Sequence, residues 1–133
     1  MQIKFTHIAL QCRNIQKTMD FYKKYCGMKI VPRNSSKSNQ AAYWLVDSTR
    51  QKSLVLVLFE GHIFYKQNEK DYTHLGFSMS TKHAVLNLSK QAEEEGLLAW
   101  PPTQEEEPLG FFCGIKDPDG RVVEFSYGQT IDY

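Results

Sequence analysis

Two stretches of this chain repeat one another: Phe5-Thr6-His7-Ile8-Ala9-Leu10 and Tyr72-Thr73-His74-Leu75-Gly76-Phe77 each run aromatic, Thr, His and then into alternating apolar residues. The offset is 67 (74 − 7), and the same step carries Val57, inside one apolar run, onto Glu124, inside another. A period this long, present in only two copies, is unlike that of solenoids and implies two modules closing on each other. Two histidines and one carboxylate therefore occupy corresponding places in the pair.

The punctuation of the two halves repeats as well. In the first, residues 4–12 alternate as a strand and Asn14 stands where a helix N-cap accepts the first backbone N–H bonds. Ile15, Met19, Tyr22 and Cys26 then recur at helical spacing, and Gly27 ends the helix because glycine tolerates positive φ. Strands are predicted at 28–31, 41–47 and 53–59, with a mobile loop at 34–39. The second half has a strand at 74–79, a helix over 81–95 stopped by Gly96, and strands at 97–100, 111–115 and 121–127, the last two joined by the tight turn Asp117-Pro118-Asp119-Gly120. Each half reads β-α-β-β-β. The expectation is an α+β fold in which modules 1–60 and 72–133, linked by 61–71, form one domain over 1–133.

A net charge of +1 across 133 residues gives no field to attract nucleic acid or an acidic membrane surface, so a small molecule is the expected partner. The longest strongly apolar run, 54–59, is far too short to span a bilayer, and residues 1–10 lack the apolar core of a signal peptide, which makes the cytoplasm the expected location. Cys12, Cys26 and Cys113 are odd in number and show no CxxC spacing, so they read as reduced core thiols. The acidic runs 93–95 and 105–107 read as solvated surface, because neighbours in sequence do not converge on one point.

Side chains alternate faces along a strand, so His7 shares its face with Phe5 and Ala9 while Thr6, Ile8 and Leu10 point the other way. The bulky aliphatic set suits the helix-packed side, leaving His7 on the open side with small Ala9 beside it. The second copy repeats this with His74, Gly76 and Ser78. On the last strand Glu124 shares a face with Val122 and Ser126, and a carboxylate in so apolar a strand is costly unless it is partnered. A divalent cation is one partner, since imidazole and carboxylate suit zinc, nickel, manganese or ferrous iron. The other reading keeps both histidines as core residues bonded to backbone and pairs Glu124 with Arg121 or Lys116. His62 and His83 lack repeat partners and read as surface residues.

The two aromatic-Thr-His segments, together with Asp117-Pro118-Asp119-Gly120-Arg121-Val122-Val123-Glu124-Phe125, resemble the vicinal oxygen chelate superfamily, which includes glyoxalase I, extradiol dioxygenases, fosfomycin-resistance thiol transferases and bleomycin-binding proteins. The resemblance covers nearly the whole chain. It implies paired βαβββ modules forming a metal-binding cup, with His7, His74 and Glu124 as metal ligands and Val57 at the fourth position. It also implies one divalent cation (Zn, Ni, Mn or Fe) acting as a Lewis acid on an oxygen-bearing substrate, Glu124 as ligand and proton acceptor, and glutathione or another thiol as a co-substrate. A homodimer follows from the same likeness, with His7 from one subunit and His74 and Glu124 from the other.

Within that family, glyoxalase I (lactoylglutathione lyase) commonly has a carboxylate or amide where this chain has Val57, and Glu60 differs from Val57 in strand parity. The ligand set looks more like that of fosfomycin-resistance proteins, although Ala9 stands where they place a threonine and segment 109–114 is largely apolar. A ferrous extradiol-type dioxygenase is a third implied activity. The non-enzymatic alternative is a bleomycin-resistance-type binding cup lined by Tyr43, Trp44, Trp100, Phe111 and Phe112.

Overall fold

The computed structural model describes residues 1–31, 42–48 and 55–131. They form two units, Met1–Tyr65 and Lys66–Tyr133. The loop expected at 34–39, and the first residues of the strands expected from 41 and 53, lie outside the described residues.

In the first unit, β1 (His7–Cys12) leads into α1 (Ile15–Cys26), which begins where the Asn14 side chain accepts a hydrogen bond from the Lys17 N–H and ends at Gly27 with φ 62°. Thr18, Met19, Phe21, Tyr22 and Tyr25 form the buried stripe of this helix, and its contacts reach β4. Three strands follow: β2 (Lys29–Ile30), β3 (Ala42–Val46) and β4 (Val55–Glu60). The sheet order is β1-β4-β3-β2, so the chain's first strand pairs in parallel with the last of its unit. Leu45, Leu56, Leu58 and Cys12 fill its core.

The second unit repeats this plan with β5 (His74–Ser78), α2 (Lys82–Glu94), β6 (Leu98–Gln104), β7 (Phe111–Lys116) and β8 (Val122–Tyr127) in sheet order β5-β8-β7-β6. The Thr81 hydroxyl caps α2 by accepting from Ala84 N–H. The helix closes at Gly96, φ 73°, with Leu97 N–H donating to Ala92 O and Gly96 N–H to Glu93 O, the paired bonds that satisfy a helix's last carbonyls. Val85 and Ala92 of α2 are fully buried, as are Cys113, Ile115 and Val123 of the sheet.

The 67-residue offset is carried into both ladders. Ala9 lies opposite Val57 in β1–β4, and Gly76 lies opposite Glu124 in β5–β8. The two α+β units are therefore βαβββ modules built on one register.

Within the described residues, two strands differ from expectation by more than one residue at an end. β1 begins at His7 rather than residue 4, because Met1–Thr6 are exposed and His7 is the first residue with a ladder partner, Val55. β6 continues to Gln104 through Pro101 and Pro102, past the end expected at residue 100. A proline cannot donate to a ladder, yet β6 is the sheet's edge, and the register shifts at Leu98/Trp100 and Trp100/Thr103 let the prolines sit without an unmet bond. Glu93–Glu95 and Glu105–Glu107 are exposed, as are His62 and His83.

Candidate metal centre

The face of the second sheet away from α2 carries the chemistry. Ladder partners share a face, so His74 and Gly76 of β5 stand beside Val122 and Glu124 of β8, and Gly114 of β7 stands beside Glu124. Glu124 is 7% exposed, and its Oε2 lies 3.6 Å from His74 Nε2. Arg121 does not supply the counter-charge: its guanidinium binds Asp117 Oδ2 at 3.3 Å and lies 3.6 Å from Asp119 Oδ2. Among the described residues of this unit, no third His, Cys, Asp or Glu joins the pair.

The histidine's protonation pattern follows from its other nitrogen. His74 Nδ1 lies 2.6 Å from the Tyr72 carbonyl oxygen, which can only accept, so Nδ1 is assigned a proton and Nε2 is the ring nitrogen turned toward the carboxylate. Nε2 and Oε2 face each other at a spacing that two ligands of one cation span, each at about 2.1 Å from it. The residues present fit such an ion. A backbone acceptor behind the ring nitrogen is the usual device that orients a ligating imidazole. Gly76 keeps the space next to Oε2 open, because a Cβ there would come to 3.5 Å from that oxygen.

Two further side chains frame the pair. Gln129, brought back after the turn at Gly128 (φ 80°), donates from Nε2 to Glu124 Oε2 at 3.2 Å. Trp100 packs edge to face on His74 with centroids 5.2 Å apart, and it lies so close over Gly114 that no side chain fits between them. Trp100 is also a wall of a cavity of about 260 Å3 lined by Gln67, Asp71, Leu98, Lys116 and Val122. Asp71 is held below the usual carboxylate range by the Thr73 backbone N–H and then by the Thr73 side chain. Beneath the sheet, burial and then the charge of Glu124 push the Cys113 thiol up to about 12.

His7 belongs to the first unit. It is exposed at the start of β1, with Nδ1 2.8 Å from the Thr6 hydroxyl, and Ala9 and Val57 hold the positions equivalent to Gly76 and Glu124. Of the aromatics considered for a binding cup, Tyr43 and Trp44 are exposed on β3, Phe111 is buried, and Trp100 meets His74. The sequence reading did not single out Gln67 or Gln129. Both lie outside the periodic segments, where polarity alone marks no partner.

Two βαβββ modules on a common register define a paired-module protein. The chain belongs to the Glyoxalase/Bleomycin resistance protein/Dioxygenase superfamily, whose model matches residues 4–125. It is 35% identical over 131 residues to an uncharacterized protein of Pseudomonas aeruginosa, covering 98% of this chain and 93% of that one. A Bacillus subtilis protein named as a probable trivalent organoarsenical cleaving enzyme is 24% identical over 136 residues, covering 96% and 82%.

Solved structures share the fold at lower identity. The fosfomycin resistance protein FosX of Listeria monocytogenes superposes with a TM-score of 0.76 at 18% identity, covering 98% of this chain and 94% of that chain. A variant of that protein complexed with Mn(II) and 1S,2S-dihydroxypropylphosphonic acid gives 0.77 at 16% identity, covering 98% and 95%. No helix among the described residues is long and apolar enough to cross a membrane.

Proposed function

We propose that this chain is a glyoxalase-like cytoplasmic metalloenzyme that holds one divalent cation on His7, His74 and Glu124 and acts on a small oxygen-bearing substrate by isomerisation, lyase or thiol-transfer chemistry. The observation that carries this reading is His74 Nε2 lying 3.6 Å from the buried Glu124 carboxylate while Nδ1 is held by the Tyr72 carbonyl. Support for the ion's type comes from the likeness to the Mn(II)-complexed FosX variant. In this reading a homodimer brings His7 of one subunit to His74 and Glu124 of the other, and glutathione or another thiol serves as co-substrate where transfer occurs.

Bound there, a divalent cation polarises substrate oxygens and stabilises the negative charge that develops on them. The protein's own groups do the rest. Tyr72 O fixes the His74 ring, and Trp100 shields one side of it from water. Gln129 holds Oε2 of Glu124, so the carboxylate takes up a proton from a set orientation.

The cavity beside Trp100 favours a small ligand and also supports a second reading, a binding protein of the bleomycin-resistance type. A ferrous extradiol-type oxygenase ranks third, resting on the two-histidine, one-carboxylate set alone. Cleavage of trivalent arsenicals is the activity in the Bacillus relative's name; soft trivalent arsenic seeks accessible thiolates, and of this chain's three thiols Cys12 and Cys113 are buried while Cys26, at the end of α1, is half-buried.

The test is elemental analysis of tag-free protein together with Mn(II) and Zn(II) titration of the wild type, His74→Ala and Glu124→Ala. One ion per site in the wild type is expected. Each variant should bind more weakly by more than about 100-fold, since changes in outer-shell partners alone cost about 10–100-fold. Equal affinity in both folded variants would sink the metal reading and leave the binding cup.

A further inference from the structure

Gln67, in the segment before β5, makes three hydrogen bonds with one side chain. Its Nε2 donates to Asp71 O at 2.8 Å and to Thr73 O at 2.7 Å, and its Oε1 accepts from Val122 N–H at 3.1 Å. That uses both amide protons and one oxygen lone pair of a half-buried side chain.

The places where these bonds land are what matter. Asp71 and Thr73 flank Tyr72, and Tyr72 O is the acceptor that sets the His74 ring nitrogen. Val122 is the ladder partner of His74 and lies two residues before Glu124 on the same face of β8. Gln67 therefore ties down the backbone behind the imidazole and the strand that carries the carboxylate at the same time. β5 begins only at His74, so the chain ahead of it lies outside the β5–β8 ladder.

We infer that Gln67 is a positioning residue for the metal centre, acting through the backbone of Tyr72 and Val122 to hold His74 Nε2 and Glu124 Oε2 at ligand spacing. The inference rests on the metal reading above and adds a residue to it. Ligand geometry held only by the ligands' own rotamers is loose, and outer contacts tighten it. Gln67→Met keeps the length and the bulk but deletes all three bonds. Gln67→Glu keeps the acceptor for Val122 N–H and turns the two donors into an oxygen facing two carbonyls.

The experiment is titration of the wild type, Gln67→Met, Gln67→Glu and His74→Ala with Co(II), reading both affinity and the visible ligand-field bands, with thermal unfolding alongside. The expected result is that Gln67→Met and Gln67→Glu stay folded, lose about 10–100-fold in Co(II) affinity and shift the bands, because the ligands relax apart. Variants that are less stable yet bind with wild-type affinity and unchanged bands overturn the inference while the metal reading stands. A wild type that binds no Co(II), Mn(II) or Zn(II) overturns both. Should the variants fail to fold, amide exchange on the wild type decides: Zn(II) should slow exchange at Val122 N–H, since coupling between clasp and ion is reciprocal, and unchanged exchange there rejects the role.

Discussion

Gly114→Ala probes the seat of Trp100. A Cβ at Gly114 would lie 2.6 Å from Trp100 Cδ2, 2.7 Å from Cε3 and 2.8 Å from Cγ, all of them side-chain atoms of one rigid indole. Carbon atoms rest at about 3.5–4.0 Å, so the ring must retreat by about 1 Å. Its route is not free, because the same ring meets His74 at 5.2 Å and Tyr72 at 6.3 Å, and Gly114 itself sits mid-strand between β6 and β8. Overpacking of this kind costs about 1–3 kcal/mol, and losing the aromatic contact contributes about 0.5–1.5 kcal/mol of that. Urea unfolding measures the cost. Emission of Trp100, read in a Trp44→Phe background that removes the other tryptophan, reports whether the ring has moved toward water. A Gly114→Ala protein with wild-type stability and unchanged emission would show that the indole does not rest on this glycine and that the His74 wall is built otherwise.

Two other perturbations have worked signs. Cys113 has its thiol raised from 9.0 to about 12 in the folded chain, so the folded state keeps a proton that the unfolded state releases. The stabilisation is complete below pH 9 and declines by up to about 1.4 kcal/mol per pH unit until the folded thiol itself ionises near 12. Cys113→Ala should flatten the alkaline limb of a stability–pH curve, and an unaltered slope would refute the assignment. Asp117, 2% exposed, accepts from Asp119 N–H and Arg121 N–H and pairs with the Arg121 guanidinium. Asp117→Asn keeps an acceptor for the backbone and should cost about 1 kcal/mol, whereas Asp117→Ala orphans those donors and should cost about 3 kcal/mol or more in denaturant titrations. Equal losses in the two variants would mean that only the charge matters.

What the sequence disclosed depended on how local the physical signal was. Asn14, Thr81, Gly27 and Gly96 act within one helical turn, so both helices were legible to within a residue or so at their ends. The alternation of His7–Ala9 and His74–Gly76 followed from strand parity, and the exposure pattern of β1 and β5 repeats it. The extent of β6 was hidden because a proline's meaning depends on whether its strand lies at an edge, which is a property of the sheet. The approach of His74 to Glu124 was foreshadowed by the repeat, but the carbonyl behind the imidazole, the Gln129 amide and the indole over Gly114 come from chain segments with no period of their own. Such contacts are set by tertiary closure and leave no trace in residue spacing.

The parallel pairing of first and last strands in each module also orders events during synthesis. His74 and its ladder partner Val122 are 48 residues apart (122 − 74), and β6 and β7 lie between them. Antiparallel neighbours such as β7 and β8 can zip as they emerge, but β5 waits for the final strand. At about 5–20 residues per second, the ribosome delivers that strand roughly 2–10 s after the histidine. A nascent chain stalled before residue 122 therefore has α2 and the β6–β7 hairpin but no strand for β5 to pair with, and His74 meets Glu124 only once β8 has emerged.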